Sequence, residues 1–140
     1  MSGVAIIQYL LANSAGLTAV VPAAQIMAGP LPVDTPLPAI AVQQISGQQH
    51  NNLSMSSASY LVTERVQITV IAQQPQSGGS GYQQTKAVLA LVRAALPLSR
   101  GTVNGFECQS VIPDIEGPDL YDPDTLLCSQ SIDYFVTYRR

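Results

Sequence analysis

The stretch Tyr60-Leu-Val-Thr-Glu-Arg-Val-Gln-Ile-Thr-Val-Ile-Ala-Gln73 decides the fold. Tyr60, Val62, Val66, Ile68, Val70 and Ala72 alternate with Thr63, Arg65, Gln67, Thr69 and Gln73. A period of two places alternate side chains on opposite faces of a strand, so one face is buried and the other is wet. Downstream the period changes. Ser80 followed by Gln83 predicts a capping box, and Val88, Leu91, Val92, Ala95 and Leu96 continue at helical spacing until Pro97. A helix with one apolar stripe, with Lys86 and Arg93 pointing outward, is expected to lie on the sheet.

Working outward, Val103 to Ile112 predicts a strand. Leu126 to Tyr138 predicts a longer one, with Leu126, Cys128, Ile132, Tyr134, Val136 and Tyr138 on one face. Upstream, Ser2 can cap a helix over Gly3 to Ser14 with a stop at Gly16. Leu17 to Val21 adds a turn, and Ile26 sits in a short extended piece. Half of the ten prolines fall between Pro22 and Pro38, which makes Gly29 to Pro38 a stiff extended connector. Ala39 to Ser46 reads as a strand. Gly47 to Ser59 is polar and uncharged apart from His50, and reads as a long mobile loop; Pro75 to Gly81 reads as a flexible connector. Helices inserted between runs of strands give an α+β domain spanning 1–140, a mainly antiparallel sheet packed against about two helices.

Composition narrows the function. Charged residues make up 11% of the 140, against about a quarter in an ordinary soluble domain, so the surface is built from Gln, Ser, Thr and Asn. The six cations are scattered through a chain of net charge -3, which leaves no basic footprint for sequence-specific nucleic-acid binding. No stretch approaches the roughly 18 apolar residues of a membrane span. Cys108 and Cys128 form no disulfide framework and no metal-ligand spacing.

The chemistry is correspondingly thin. His50 reads as a solvated loop residue with no nucleophile beside it, and Cys128 as a small core hydrophobe on a strand. Six of the nine acids crowd between Glu107 and Asp124, yet Asp119-Leu-Tyr-Asp-Pro-Asp124 lacks the ligand order and glycine of a calcium loop. Ser77-Gly-Gly-Ser-Gly81 precedes a helix but lacks the lysine of a phosphate loop. No catalytic residue, cofactor site or metal site is expected.

Gly117-Pro-Asp-Leu-Tyr-Asp-Pro-Asp-Thr125, leading into Ser131-Ile-Asp-Tyr-Phe-Val-Thr-Tyr138, resembles the end of the tail completion proteins of long-tailed bacteriophages and prophages, also called tail terminator or head-tail joining proteins. Leu17-Thr-Ala-Val-Val21, Leu37-Pro-Ala-Ile-Ala-Val42, Gln44-Ile-Ser-Gly47, Arg65-Val-Gln-Ile68 and Val92-Arg-Ala-Ala-Leu96 follow the family's order. The chain departs from it at Gln25 and Met27, where a basic residue and an aromatic are usual.

The resemblance implies a non-enzymatic virion protein without cofactors, made in the bacterial cytoplasm. It would assemble as a ring of six copies at the head-proximal end of the tail, although it can remain monomeric in solution. Its partners would be the tail tube protein and the head-tail connector protein. The candidate contact residues are Pro30 and Pro32 in the connector, Gln48, Gln49, His50, Asn51 and Asn52 in the polar loop, and Asp119, Tyr121, Asp122 and Asp124 in the acidic segment. An acidic lumen that lets DNA slide is a further expectation. The alternative is a small cytoplasmic ligand-binding module, its pocket lined by Tyr60, Tyr134 and Tyr138.

Overall fold

The computed structural model describes residues 2–50, 59–75, 80–96 and 101–140. Its order is α1 (Ser2–Ala12), α2 (Ala15–Thr18), a 3-10 turn (Ala23–Gln25), β1 (Ile26–Ala28), β2 (Ala39–His50), β3 (Leu61–Gln73), α3 (Gly81–Ala95), β4 (Gly101–Val103), β5 (Phe106–Glu116), β6 (Leu120–Asp122) and β7 (Leu127–Arg139). The sheet runs β1-β2-β3-β7-β5-β4, with β6 also on β7. Every pairing is antiparallel except β1 with β2.

The decisive stretch lies at the centre of this sheet. β3 pairs β2 over Leu61 to Ile71 on one side and β7 over its whole length on the other, and Val62, Val66, Ile68, Val70 and Ala72 are buried. Helices α1 and α3 cover that face. Val4, Ile6, Ile7 and Leu11 of α1 and Val88, Leu89 and Val92 of α3 close the core over Ile40, Ile132, Tyr134 and Val136. The opposite face carries Thr63, Gln67, Thr69, Ser131 and Thr137.

Local chemistry moves several expected boundaries. Ser14 does not extend α1; it caps α2, accepting the Leu17 amide on its Oγ (3.4 Å), and Gly16 falls inside α2. The stripe of α3 lies where expected, with Val88, Val92 and Leu96 buried and Leu91 and Ala95 half-buried against the core, and it is wider than expected by Leu89. Leu89 is fully buried, whereas Leu91 at the edge of the same face is only half-buried. Ser80 caps this helix at Gln83 (3.1 Å), while Lys86 and Arg93, expected to point into solvent, reach across to acids at Asp119 and Glu116. Pro97, Ser77 and Gly78 lie outside the described residues.

The expected strand Val103 to Ile112 is a hairpin. Asn104 and Gly105 have φ of 49° and 81°, the two left-handed residues of a two-residue turn, and Val103 pairs Phe106 across it. Leu126 is not the first residue of β7; it sits in a left-handed turn (φ 59°), accepting the Gln74 amide on its carbonyl (2.7 Å). The largest difference is Gly47 to His50, expected in a mobile loop and found as the last third of β2, paired with Leu61 to Glu64. Those residues are exposed, so no hydrophobic alternation marks them. Their extended backbone is held by β3. Residues 51–58 of that expected loop lie outside the described residues.

Candidate interaction surfaces

The candidate residues fall into three places. Pro30 and Pro32 are exposed in the connector, which Gln25 ties down by donating from Nε2 to the carbonyls of Pro36 (2.9 Å) and Pro38 (2.7 Å). Gln48, Gln49 and His50 are exposed at the far end of β2; Asn51 and Asn52 lie outside the described residues. Asp119, Tyr121, Asp122 and Asp124 are exposed in and around β6. The register fixes their separation. Leu120 pairs Ser129, Ser129 pairs Ile71 and Ile71 pairs Ala39, so β6 and the end of the connector lie at one end of the strands. His50 pairs Leu61 at the other end.

His50 is therefore a strand residue rather than a solvated loop residue. Its Nε2 lies 3.0 Å from Thr63 Oγ1, which lies 3.0 Å from Thr137 Oγ1, a polar run across β2, β3 and β7. Gln43, Gln67 and Ser131 form a second run, with Gln43 Nε2 donating to Gln67 Oε1 (3.0 Å) and Gln67 Nε2 to Ser131 Oγ (3.4 Å). Such runs present hydroxyl and amide donors and acceptors, the character of a wide, hydrated interface.

A Cys-His pair does not form. His50 is opposite Leu61 and Cys128 opposite Ala72, eleven residues apart along β3, or roughly 36 Å at about 3.3 Å per residue. Cys108 pairs Tyr138, ten residues along β7 from Cys128, so the two thiols are far outside the roughly 7 Å Cα separation that a disulfide allows. Burial raises the pKa of the Cys108 thiol and keeps it protonated.

The acidic segment is mostly strand, and most of its acids are paired. It forms β5, β6 and the connections that flank β6, and four of its six acids meet cations: Glu107 with Arg139 (3.4 Å), Asp114 with Arg65 (3.5 Å), Glu116 with Arg93, and Asp119 with Lys86 (2.7 Å). The Asp119 hydrogen bond raises the Lys86 pKa and outweighs desolvation. Asp122 accepts the Asp124 amide (2.9 Å), and this bond, with help from the Thr125 hydroxyl, lowers its pKa. Among the described residues, no three His, Cys, Asp or Glu side chains gather to hold a metal ion, and no helix is long and apolar enough to cross a membrane.

The three tyrosines make no common pocket. Tyr138 is fully buried, and Tyr134 floors a groove of about 600 Å³ between Leu96, Pro113 and Ile132. A separate hollow of about 420 Å³ lies between Tyr82 and Thr85 of α3 and Leu120 and Tyr121 of β6, with Cys128 in its wall. Of the candidate residues, Asp119 and Tyr121 line it.

Sequence reasoning also missed Glu64. It lies on the apolar side of β3, only 1% exposed, accepting the Gly3 amide at the start of α1 (2.7 Å) on Oε2 and the Tyr138 hydroxyl (2.8 Å) on Oε1. A Cβ on Gly3 would stand 2.1 Å from Glu64 Oε2, so only glycine lets the helix come this close.

The tail completion protein gp17 family matches the chain over residues 4–139. No curated protein matches it. Among solved structures it is similar to a chain from the virion of a native gene transfer agent (GTA) particle, with a TM-score of 0.68 and 14% identity over 98% of this chain and 94% of that one. A second solved chain aligns with a TM-score of 0.53 and 15% identity, covering 97% of this chain and 95% of the other. At such identities the likeness is one of fold.

Proposed function

Because the chain belongs to the tail completion protein gp17 family, we propose that it closes the head-proximal end of a bacteriophage tail tube as a ring of six copies and joins the tail to the head connector. It is a structural protein of the virion tail. The observation that carries the reading is the family match, which runs almost from end to end of the chain. The surface agrees with it. An uncovered sheet face of Thr, Ser and Gln and exposed patches at both ends of the strands offer different contacts in different directions, as a head-to-tail ring between two partners requires.

No catalytic role is proposed, since His50 and Cys128 stand at opposite ends of the sheet. Deleting the gene from its parent phage or prophage and imaging the induced particles tests the reading. Separate heads beside unjoined tails of irregular or excessive length are expected. Normal joined particles would overturn it.

A further inference from the structure

Residues 118–125 are held firmly at their two ends and thinly between. At one end Gly117 donates its amide to Ser131 O (2.7 Å) and accepts Gln130 Nε2 on its carbonyl (2.9 Å). At the other end Leu126 accepts the Gln74 amide on its carbonyl (2.7 Å). These bonds pin both ends to the body of the sheet.

Between the pins there is little to hold the chain down. The ladder to β7 is three residues long, from Leu120 opposite Ser129 to Asp122 opposite Leu127. Pro118 and Pro123, which have no amide hydrogen to give, stand on either side of it. All eight residues from 118 to 125 are exposed, and none belongs to the hydrophobic core. Few buried contacts and solvent-exposed backbone bonds mark a segment that opens at low free energy while the rest of a protein stays folded.

Lys86 of α3 reaches this segment from the helix layer. Its Nζ donates to Asp119 Oδ1 (2.7 Å) and to Gln130 Oε1 (2.6 Å), and stands 5.1 Å from the centre of the Tyr82 ring. Gln130 is buried and passes the contact on to the Gly117 carbonyl. The Lys86–Asp119 pair is itself largely exposed, and such pairs are weak and screened by salt. The contact is therefore a marginal latch. Behind it lies the Cys128 thiol: Cys128 is only 7% exposed, pairs Tyr121 of β6, and shares with Tyr82, Thr85 and Tyr121 the walls of the 420 Å³ hollow.

We propose that residues 118–125 form a strap, pinned at Gly117 and Leu126 and latched by Lys86, that lifts off β7 while the rest of the sheet stays folded and so gates access to Cys128. The inference stands apart from the tail reading, although Asp119, Tyr121, Asp122 and Asp124 ride on the strap.

The test labels the intact folded chain with N-ethylmaleimide, a neutral reagent, and follows the label at each cysteine by mass spectrometry. Cys108, buried near the other end of β7, reports any general loosening. Lys86→Met, which keeps a long helix-forming side chain but takes the donor from Asp119 and Gln130, is expected to raise the labelling rate of Cys128 about tenfold and to leave that of Cys108 within about twofold. In the unmodified protein, raising NaCl from about 0.05 M to about 1 M should raise the Cys128 rate about threefold, again without Cys108. A Cys128 rate that Lys86→Met leaves unchanged, a rise that Cys108 shares equally, or indifference of the unmodified protein to salt would each overturn the inference.

Discussion

Glu64→Ala is expected to destabilise the fold by about 4 kcal/mol, since it leaves two buried donors without an acceptor at about 1–3 kcal/mol each and opens a cavity beside them. The donors are the Gly3 amide and the Tyr138 hydroxyl, on opposite sides of the carboxylate, and Arg140 stands 4.0 Å away as a further partner. For a chain of this length that loss lowers the melting temperature by about 14 °C. Glu64→Gln keeps the shape and one acceptor oxygen, so it should cost about half as much. A calorimetric or circular-dichroism melt checks both. A fall of less than about 3 °C for Glu64→Ala, under 1 kcal/mol, would show that the buried carboxylate does not hold α1 on the sheet.

Leu89→Ala is expected to cost about 3 kcal/mol, within the usual range for emptying a fully buried leucine site. Leu91→Ala, two residues on and half-buried, should cost about 1 kcal/mol. Denaturant unfolding of the two variants measures the difference directly. Equal losses, or a larger loss at Leu91, would contradict Leu89 being the more deeply packed of the two.

These two residues also show where sequence reading stops. The alternation of β3 carries through its whole length, because both neighbours pair with it and one face is covered throughout; a period of two is then a direct record of burial. Ser80 and Gln83, the proline connector and the run into β7 are local signals and appear where expected. Glu64 breaks the alternation and so reads as noise. Its reason for being buried is held by Gly3 and Tyr138, 61 and 74 residues away.

Leu89 was passed over because it stands beside Val88, off the i, i+3, i+4 series that runs through Leu91 and Val92. Gly47 to His50 was hidden for another reason. A strand exposed along its length has no apolar pattern, and only its pairing with Leu61 to Glu64 makes it one. Among the candidate contacts, exposure was legible for Pro30, Pro32, Gln48, Gln49, His50 and the β6 acids. The pairing of those acids with Lys86, Arg93, Arg65 and Arg139 was not, because each partner comes from a distant strand or helix.

The central claim is a place: one end of the tail. A peptide tag added after Arg140, whose side chain is exposed, can be gold-labelled on purified tails and imaged by electron microscopy. Gold confined to the single end that meets the head is the result predicted. Gold spaced along the tube, or none on any particle, would contradict it.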